Sequence, residues 1–483
     1  MPGTEKRRMK FAMTQHRQDA ATLAADGGSG SVARVSRLQR AAILTSIVLA
    51  MLVGAMDTTI LNTTMPRIAA ALGGHEWYAW TFASYMIFST VLAPVAGRLA
   101  DLFGRKRVFA VGLIVFLAGS ALCGWAGSML QLVFFRAIQG IGAGLVLPFP
   151  AIIAGDLFTI EKRGQIQALF NAMWGIAGLI APFLGGLFLE TIGWRWIFWV
   201  NIPVCLISLL FLLAYREAYR PRPSRVDGVG AALFAAGIVL VLLVTVEVPY
   251  RAPLAAAGLV LLALFFLYER RHPSPIIPMS LLKNRPIRWI SLNAFLTYVA
   301  LFGASSYVPM FLQHQGYSVF ASGAVLLGMT AGWMLCSVPA GKWILKYGYP
   351  RLFVAGSSIL AAGGALLTLL RESTGPLAVA AVMLVLGLAF GLISTVGIIC
   401  SQMLAGPHEK GVSTSLQLLC RNIGTAIGVT VMGALFNGAP GPYEGFSRLF
   451  AYGAAAGVFT LLMALPLLRK SAQGHAAQAE AER

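Results

Sequence analysis

The chain has 483 residues, 58% of them apolar and only 11% charged, against roughly a quarter charged in a soluble domain. Its net charge of +19 reads as a membrane signature rather than a nucleic-acid one, because inside loops of membrane proteins collect Lys and Arg. Long apolar runs without period-two alternation exclude a transmembrane barrel and predict an all-α integral membrane protein.

Residues 1–40 are basic, contain Gly and Ser, and hold no apolar core. They are expected to form a disordered cytoplasmic tail without a cleavable signal peptide. The first apolar segment, 41–64, runs into GAMDTTILNTTMP (54–66), which places the acid Asp57 inside the membrane. Its depth is roughly 10–14 Å below the outer surface at 1.5 Å per residue. Segments 77–97 and 107–127 are joined by GRLADLFGRKRV (97–108). There Asp101, at a helix end, can pair with basic residues and cap a neighbouring helix, while Gly97 and Gly104 permit close backbone approach. Arg105, Lys106 and Arg107 also enforce topology.

Segment 129–152 carries RAIQGIGAGLVLP (136–148). Gly140 and Gly144 lie on one face as a packing surface. Arg136 is deep enough to need a partner or a wet cavity. Segment 165–189 carries GIAGLIAPFLGG (175–186), with Pro182 placed to kink it, and ETIGWRWIFWVNIP (190–203) leads into segment 196–215. Two further segments follow, 227–247 and 252–268; the second barely reaches the lower limit of about 17 residues for spanning. The remaining six are 287–312, 321–341, 351–370, 375–400, 411–436 and 447–468.

With the N-terminus inside, thirty of the 37 Lys and Arg fall in tails and inner loops, five in outer loops, and two, Arg136 and Arg421, within helices. This split predicts fourteen spans and two cytoplasmic termini. The loop GKWILKYGYPRL (341–352) repeats the earlier one: Gly97, Gly104 and Arg107 recur as Gly341, Gly348 and Arg351 at one constant spacing, with Leu345 in place of the aspartate. The expected organisation is a six-helix bundle over 41–215, two extra helices and their loops over 216–286, a second six-helix bundle over 287–469, and a cytoplasmic tail over 470–483. Repeated halves around a midmembrane site are a mark of secondary transporters.

An enzyme is not expected. The six histidines lie in tails and loops without metal-ligand spacing, the five cysteines are scattered through apolar segments, and no GxxxxGK[ST] loop is present.

Together these motifs resemble the 14-helix drug:proton antiporter branch of the major facilitator superfamily over nearly all of 41–470. The resemblance implies two six-helix pseudo-repeat bundles plus two central helices. It further implies an alternating-access multidrug efflux antiporter of the cell inner membrane, driven by the proton gradient and needing no cofactor. The 97–108 loop would latch the outward-open state through Gly97, Asp101, Gly104, Arg105 and Arg107. Gly178, Pro182, Gly185 and Gly186 match the exporter motif of the fifth helix, although Ala181 stands where glycine is usual. Thr59, Asn62 and Pro66 match the first-helix pattern.

No other acid lies as deep as Asp57, so it is the expected proton site, with Arg136 as its partner; a permanent structural ion pair is the alternative. Expected substrate contacts are Asp57, Asn62, Gln139, Asn171, Trp174, Tyr298, Phe302, Tyr307, Gln417 and Arg421, polar or aromatic groups within the spans. Arg421 could instead bond helix-end carbonyls, reach Asp57, or hold an anionic substrate group. The expected partners are a hydrophobic or amphiphilic small molecule, protons and lipid, with no nucleic acid and a monomeric state. Two other readings stay open: export of an anionic metabolite, siderophore or lipid, and a non-transporting membrane sensor.

Overall fold

The computed structural model describes residues 36–74, 77–215, 227–243, 250–272, 275–277, 279–317, 319–406 and 409–481. The expected tail up to residue 35, the loop 216–225, and the side chains of Asn62, Pro182 and Phe302 lie outside the described residues. Among the described residues there is no strand. The helices are α1 (Arg37–Leu72), α2 (Tyr78–Phe103), α3 (Arg105–Gly124), α4 (Met129–Val146), α5 (Phe149–Leu157), α6 (Ile160–Thr191), α7 (Trp196–Trp199), α8 (Asn201–Leu212) and α9 (Gly228–Leu242). They continue with α10 (Arg251–Glu269), α11 (Met279–Lys283), α12 (Arg285–His314), α13 (Val319–Ala324), α14 (Leu326–Tyr347), α15 (Tyr349–Thr368), α16 (Pro376–Leu404), α17 (Lys410–Asn437) and α18 (Pro442–Ala481).

Local chemistry sets several boundaries. A capping box starts α1: Gln39 N–H donates to Ser36 Oγ, and Ser36 N–H donates to Gln39 Oε1, both at 3.1 Å. The fourth expected segment breaks at Leu147-Pro148, because Pro148 and Pro150 cannot donate to the helical ladder. The two arms of α6, Ile160–Gly178 and Phe183–Thr191, are bent by 42°. Each of the fourteen expected segments contains helix among the described residues. Among the described residues, ten spans have the length and apolarity needed to cross a membrane, and bent α6 makes an eleventh. The stretch Trp196–Leu212 and α9 are apolar but shorter. Helix α10 is long and apolar enough over Ala252–Glu269, yet only 17% of that stretch is buried, so most of its surface faces outward.

The two halves pack alike. Helix α2 lies on α4 as α14 lies on α16; α3 lies on α4 as α15 lies on α16; α1 lies on α6 and α8 as α12 lies on α17 and α18. One apolar core fills the first set, and a second core fills the other. Glycines fix the matching register. A Cβ on Gly140 would stand 2.6 Å from the Tyr85 carbonyl oxygen, and one on Gly144 would stand 2.6 Å from that of Ser89. In the second half Gly387 and Gly391 press the Met329 and Trp333 carbonyls in the same way. The halves meet through α2 on α17 and α6 on α14. Helices α9 and α10 pair with each other and, with Ile276, Ile277 and Leu281, form a third apolar cluster against α2 and α17.

Candidate functional site

Four helices of the first half and one N-terminal residue of another converge on Asp57, which is 2% exposed. Arg136 of α4 donates from Nη1 to Asp57 Oδ2 at 2.6 Å and to Gln139 Oε1 at 2.7 Å. Gln139, one turn further along the same face, donates from Nε2 to Asp57 Oδ1 at 2.7 Å and to Ser120 Oγ of α3 at 3.2 Å. Asn201, which opens α8, donates to Asp57 Oδ1 at 3.3 Å and to Ser120 Oγ at 3.0 Å. From α2, the Tyr85 ring lies 4.1 Å under the guanidinium and the Thr81 carbonyl accepts from Arg136 Nε at 3.4 Å. Both carboxylate oxygens are thereby satisfied, as an ionised acid in this setting requires.

The network is confined to the first half. By the glycine register, Met383 and Leu386 stand where Arg136 and Gln139 stand, and Gly364 stands where Ser120 does. The duplicated fold carries one copy of the polar chemistry. Replacing Gln139 by Leu will strip Asp57 Oδ1 of its shorter hydrogen bond. The expected cost is about 1–3 kcal/mol, the penalty of an under-satisfied buried group, read as a lower unfolding temperature in detergent.

A separate, half-open cavity lies between the halves, where α1, the α4–α5 break, α6, α12, α16 and α17 meet. Of the expected substrate contacts, Tyr298, Gln417 and Arg421 line it. Asp57 and Gln139 do not, because they point into the first bundle rather than between the halves. Asn171 is spent on packing the halves together: its Nδ2 donates to Ser337 Oγ of α14 at 2.9 Å, and Gln167 donates to its Oδ1 at 3.2 Å. Trp174 sits against both cores, and Tyr307 packs on Phe436, so neither lines this cavity.

At the end of the bundle that carries the repeated loops, the halves are closed against each other. Asp101 accepts from the first free backbone donors of α17, Gly411 N at 3.3 Å and Val412 N at 3.1 Å, where a carboxylate is favoured by the helix dipole. Arg105 pairs with Asp101 at 3.8 Å and also with Asp156 of α5. A Cβ on Gly97 would stand 2.5 Å from the Gly411 carbonyl oxygen, and one on Gly164 would stand 2.8 Å from the Gly341 nitrogen. Gly104 holds φ +97°, a backbone shape that favours glycine. Arg107 is exposed and has no ion pair among the described residues, since its position on α3 turns it away from the cluster. In the second copy Leu345 is 52% exposed and caps nothing. Within the fifth-segment motif, a Cβ on Gly178 or Gly186 would meet nothing within 4 Å, so neither is a packing contact; Gly185 is buried.

Sequence reasoning found Asp57 and Arg136 but not Ser120, Asn201, Tyr85 or Thr81. Asn201 stands in the recognisable stretch 190–203, yet its role follows only from the crossing of α8 over α1. Gln139 was legible as a polar group three residues from Arg136, though its partner was not.

A family model for the Major Facilitator Superfamily matches residues 47–429. The chain belongs to the major facilitator superfamily. It is 34% identical over 413 residues to the multidrug transporter protein MdtP of Bacillus subtilis (strain 168), covering 83% of this chain and 76% of that one. It is 33% identical over 407 residues to multidrug resistance protein 3 of the same organism, covering 81% and 79%. Among solved structures, the human organic anion transporter MFSD10 (TETRAN) superposes with a TM-score of 0.66 at 17% identity, over 89% of this chain and 100% of that one. The proton:xylose symporter XylE superposes with a TM-score of 0.60 at 17% identity, over 87% and 94%. These two likenesses concern the fold. As a superfamily member the protein is a multi-pass membrane transporter and not an enzyme.

Proposed function

We propose that this major facilitator protein is a proton-coupled efflux antiporter for hydrophobic or amphiphilic small molecules. It would work by alternating access around the cavity between the halves, in a cytoplasmic membrane with both termini inside. The two bundles act as the rocking units, the protein works as a monomer, and the proton gradient drives it without a cofactor. The names of the two Bacillus relatives support the efflux reading. The observation that carries the coupling is the Asp57 network: one deep carboxylate, fully hydrogen-bonded, on a helix whose Met51 also lines the cavity.

Protonating Asp57 removes the charge that holds Arg136 and frees α4 from α1. The other end of α4 leads through Leu147 and Pro148, both cavity-lining, into α5, which holds Arg105 through Asp156. A proton at Asp57 can therefore act on both the cavity wall and the closed end through α4 and the α5 that follows it. Substrate-dependent proton movement in proteoliposomes tests this. Wild type is expected to move protons when substrate is added, and Asp57→Asn is expected to lose that movement while remaining folded. Normal proton movement by Asp57→Asn would reduce the network to a structural pair and overturn the proposed coupling.

A further inference from the structure

The cavity between the halves is lined by one group of fixed charge, Arg421, and by no carboxylate among the described residues. A guanidinium inside a membrane protein normally has an anionic partner, and Arg136 has one at 2.6 Å. Arg421 has no carboxylate within 4 Å among the described residues; its Nε is buried without an acceptor, and its guanidinium lies 5.0 Å from the centroid of the Tyr298 ring. Thr414, Gln417 and Arg421 lie along one face of α17, one turn apart, all on the cavity. The walls beside them are apolar, formed by Met51, Leu147 and Phe170 among others.

We infer that this cavity takes amphiphiles with an anionic head, a carboxylate, sulfonate or phosphate, with Arg421 as the counter-charge and the apolar walls holding the body. This rests on the efflux reading above and assigns its substrate charge. The acid that would suit a cationic drug is absent from the lining, because Asp57 is turned into the first bundle and already occupied by Arg136, Gln139 and Asn201. The planar fork of arginine suits a two-oxygen acceptor, and desolvation by the walls strengthens the bond.

Coupling has a distinct electrical consequence. Exchange of one monoanion outward for one proton inward moves two elementary charges in the same sense. Exchange of a monocation for one proton moves none.

The test uses the full chain in lipid nanodiscs with three fluorescent probes that share one apolar body: 1-pyrenebutyrate, 1-pyrenebutanol and 1-pyrenebutylammonium, each corrected for binding to empty discs. The anion is expected to bind about tenfold tighter than either companion, the worth of one charge-assisted hydrogen bond. Arg421→Gln should bring the anion to the level of the alcohol, leave the alcohol unchanged, and so report a folded cavity. Arg421→Lys should keep part of the preference, since the point charge remains but the fork does not. Equal or tighter binding of the ammonium by wild type, or unchanged anion binding by Arg421→Gln, would overturn the assignment; if Arg421→Gln does not fold, the wild-type ranking decides alone. Asp57-dependent proton movement driven by the ammonium probe would sink the charge assignment and leave the efflux reading standing. Tight Arg421-dependent anion binding with no proton movement from any probe would do the reverse.

Discussion

Arg136→Leu is expected to destabilise the protein by about 3–5 kcal/mol, the cost of leaving one member of a buried ion pair uncompensated. Asp57 would then keep only neutral donors, Gln139 Nε2 and Asn201 Nδ2. The reverse change, Asp57→Asn, is expected to cost less. Arg136 retains the Gln139 oxygen at 2.7 Å, the Thr81 carbonyl and the Tyr85 ring. The double variant Asp57→Asn/Arg136→Leu should recover most of the stability lost in Arg136→Leu, because no charge is left stranded. A double-mutant cycle on thermal unfolding in detergent measures the coupling. Transport separates structure from function: all three variants should fail to move protons. A double variant that transports like wild type would show that the pair only holds helices together.

The second large effect concerns the closed end. Gly97→Val with Gly341→Val is expected to shift the protein away from the conformation described here. Each added side chain meets backbone: the Gly411 carbonyl carbon at 2.8 Å from a Cβ on Gly97, and the Glu161 carbonyl oxygen at 2.8 Å from a Cβ on Gly341. Backbone on both sides cannot rotate aside, so helices must separate, and a penalty of about 5.5 kcal/mol suffices to invert a 99:1 population. In a cysteine-free background, Ala151→Cys in the cavity lining should then react with a membrane-impermeant maleimide from the side bearing the repeated loops. Labelling as slow as in the parent would show that the glycine crossings do not control closure. Both glycines act inside a folded bundle, so each half should keep its helical content.

The sequence made the helical class, the duplication and Asp57 legible for one reason each. Apolar length marks the spans, the repeated loop marks the duplication, and a carboxylate stands out in an apolar segment. It did not reveal the register between helices. Gln139 reads as a cavity residue until the α2–α4 crossing, set by Gly140 against Tyr85, turns it toward Asp57. Asn171 reads the same way until α6 meets α14 and Ser337 takes its amide. Asp101 was readable as a helix cap, but which helix it caps depends on α17 crossing α2, a contact between residues more than 300 positions apart. Span ends were blurred where Pro148 and Val200 interrupt segments that look continuous by apolarity alone.

The Asp57 network and the cavity share helix α1 but no side chains. Under the proposed mechanism, this separation bears on how such a protein can change over generations. Substitutions at Met51, Phe170 or Ile393 alter what fits without touching any atom bonded to Asp57. Cargo range can then drift under selection by new toxins while the energy source stays intact, and a resistant lineage need not reinvent its motor to meet a new compound.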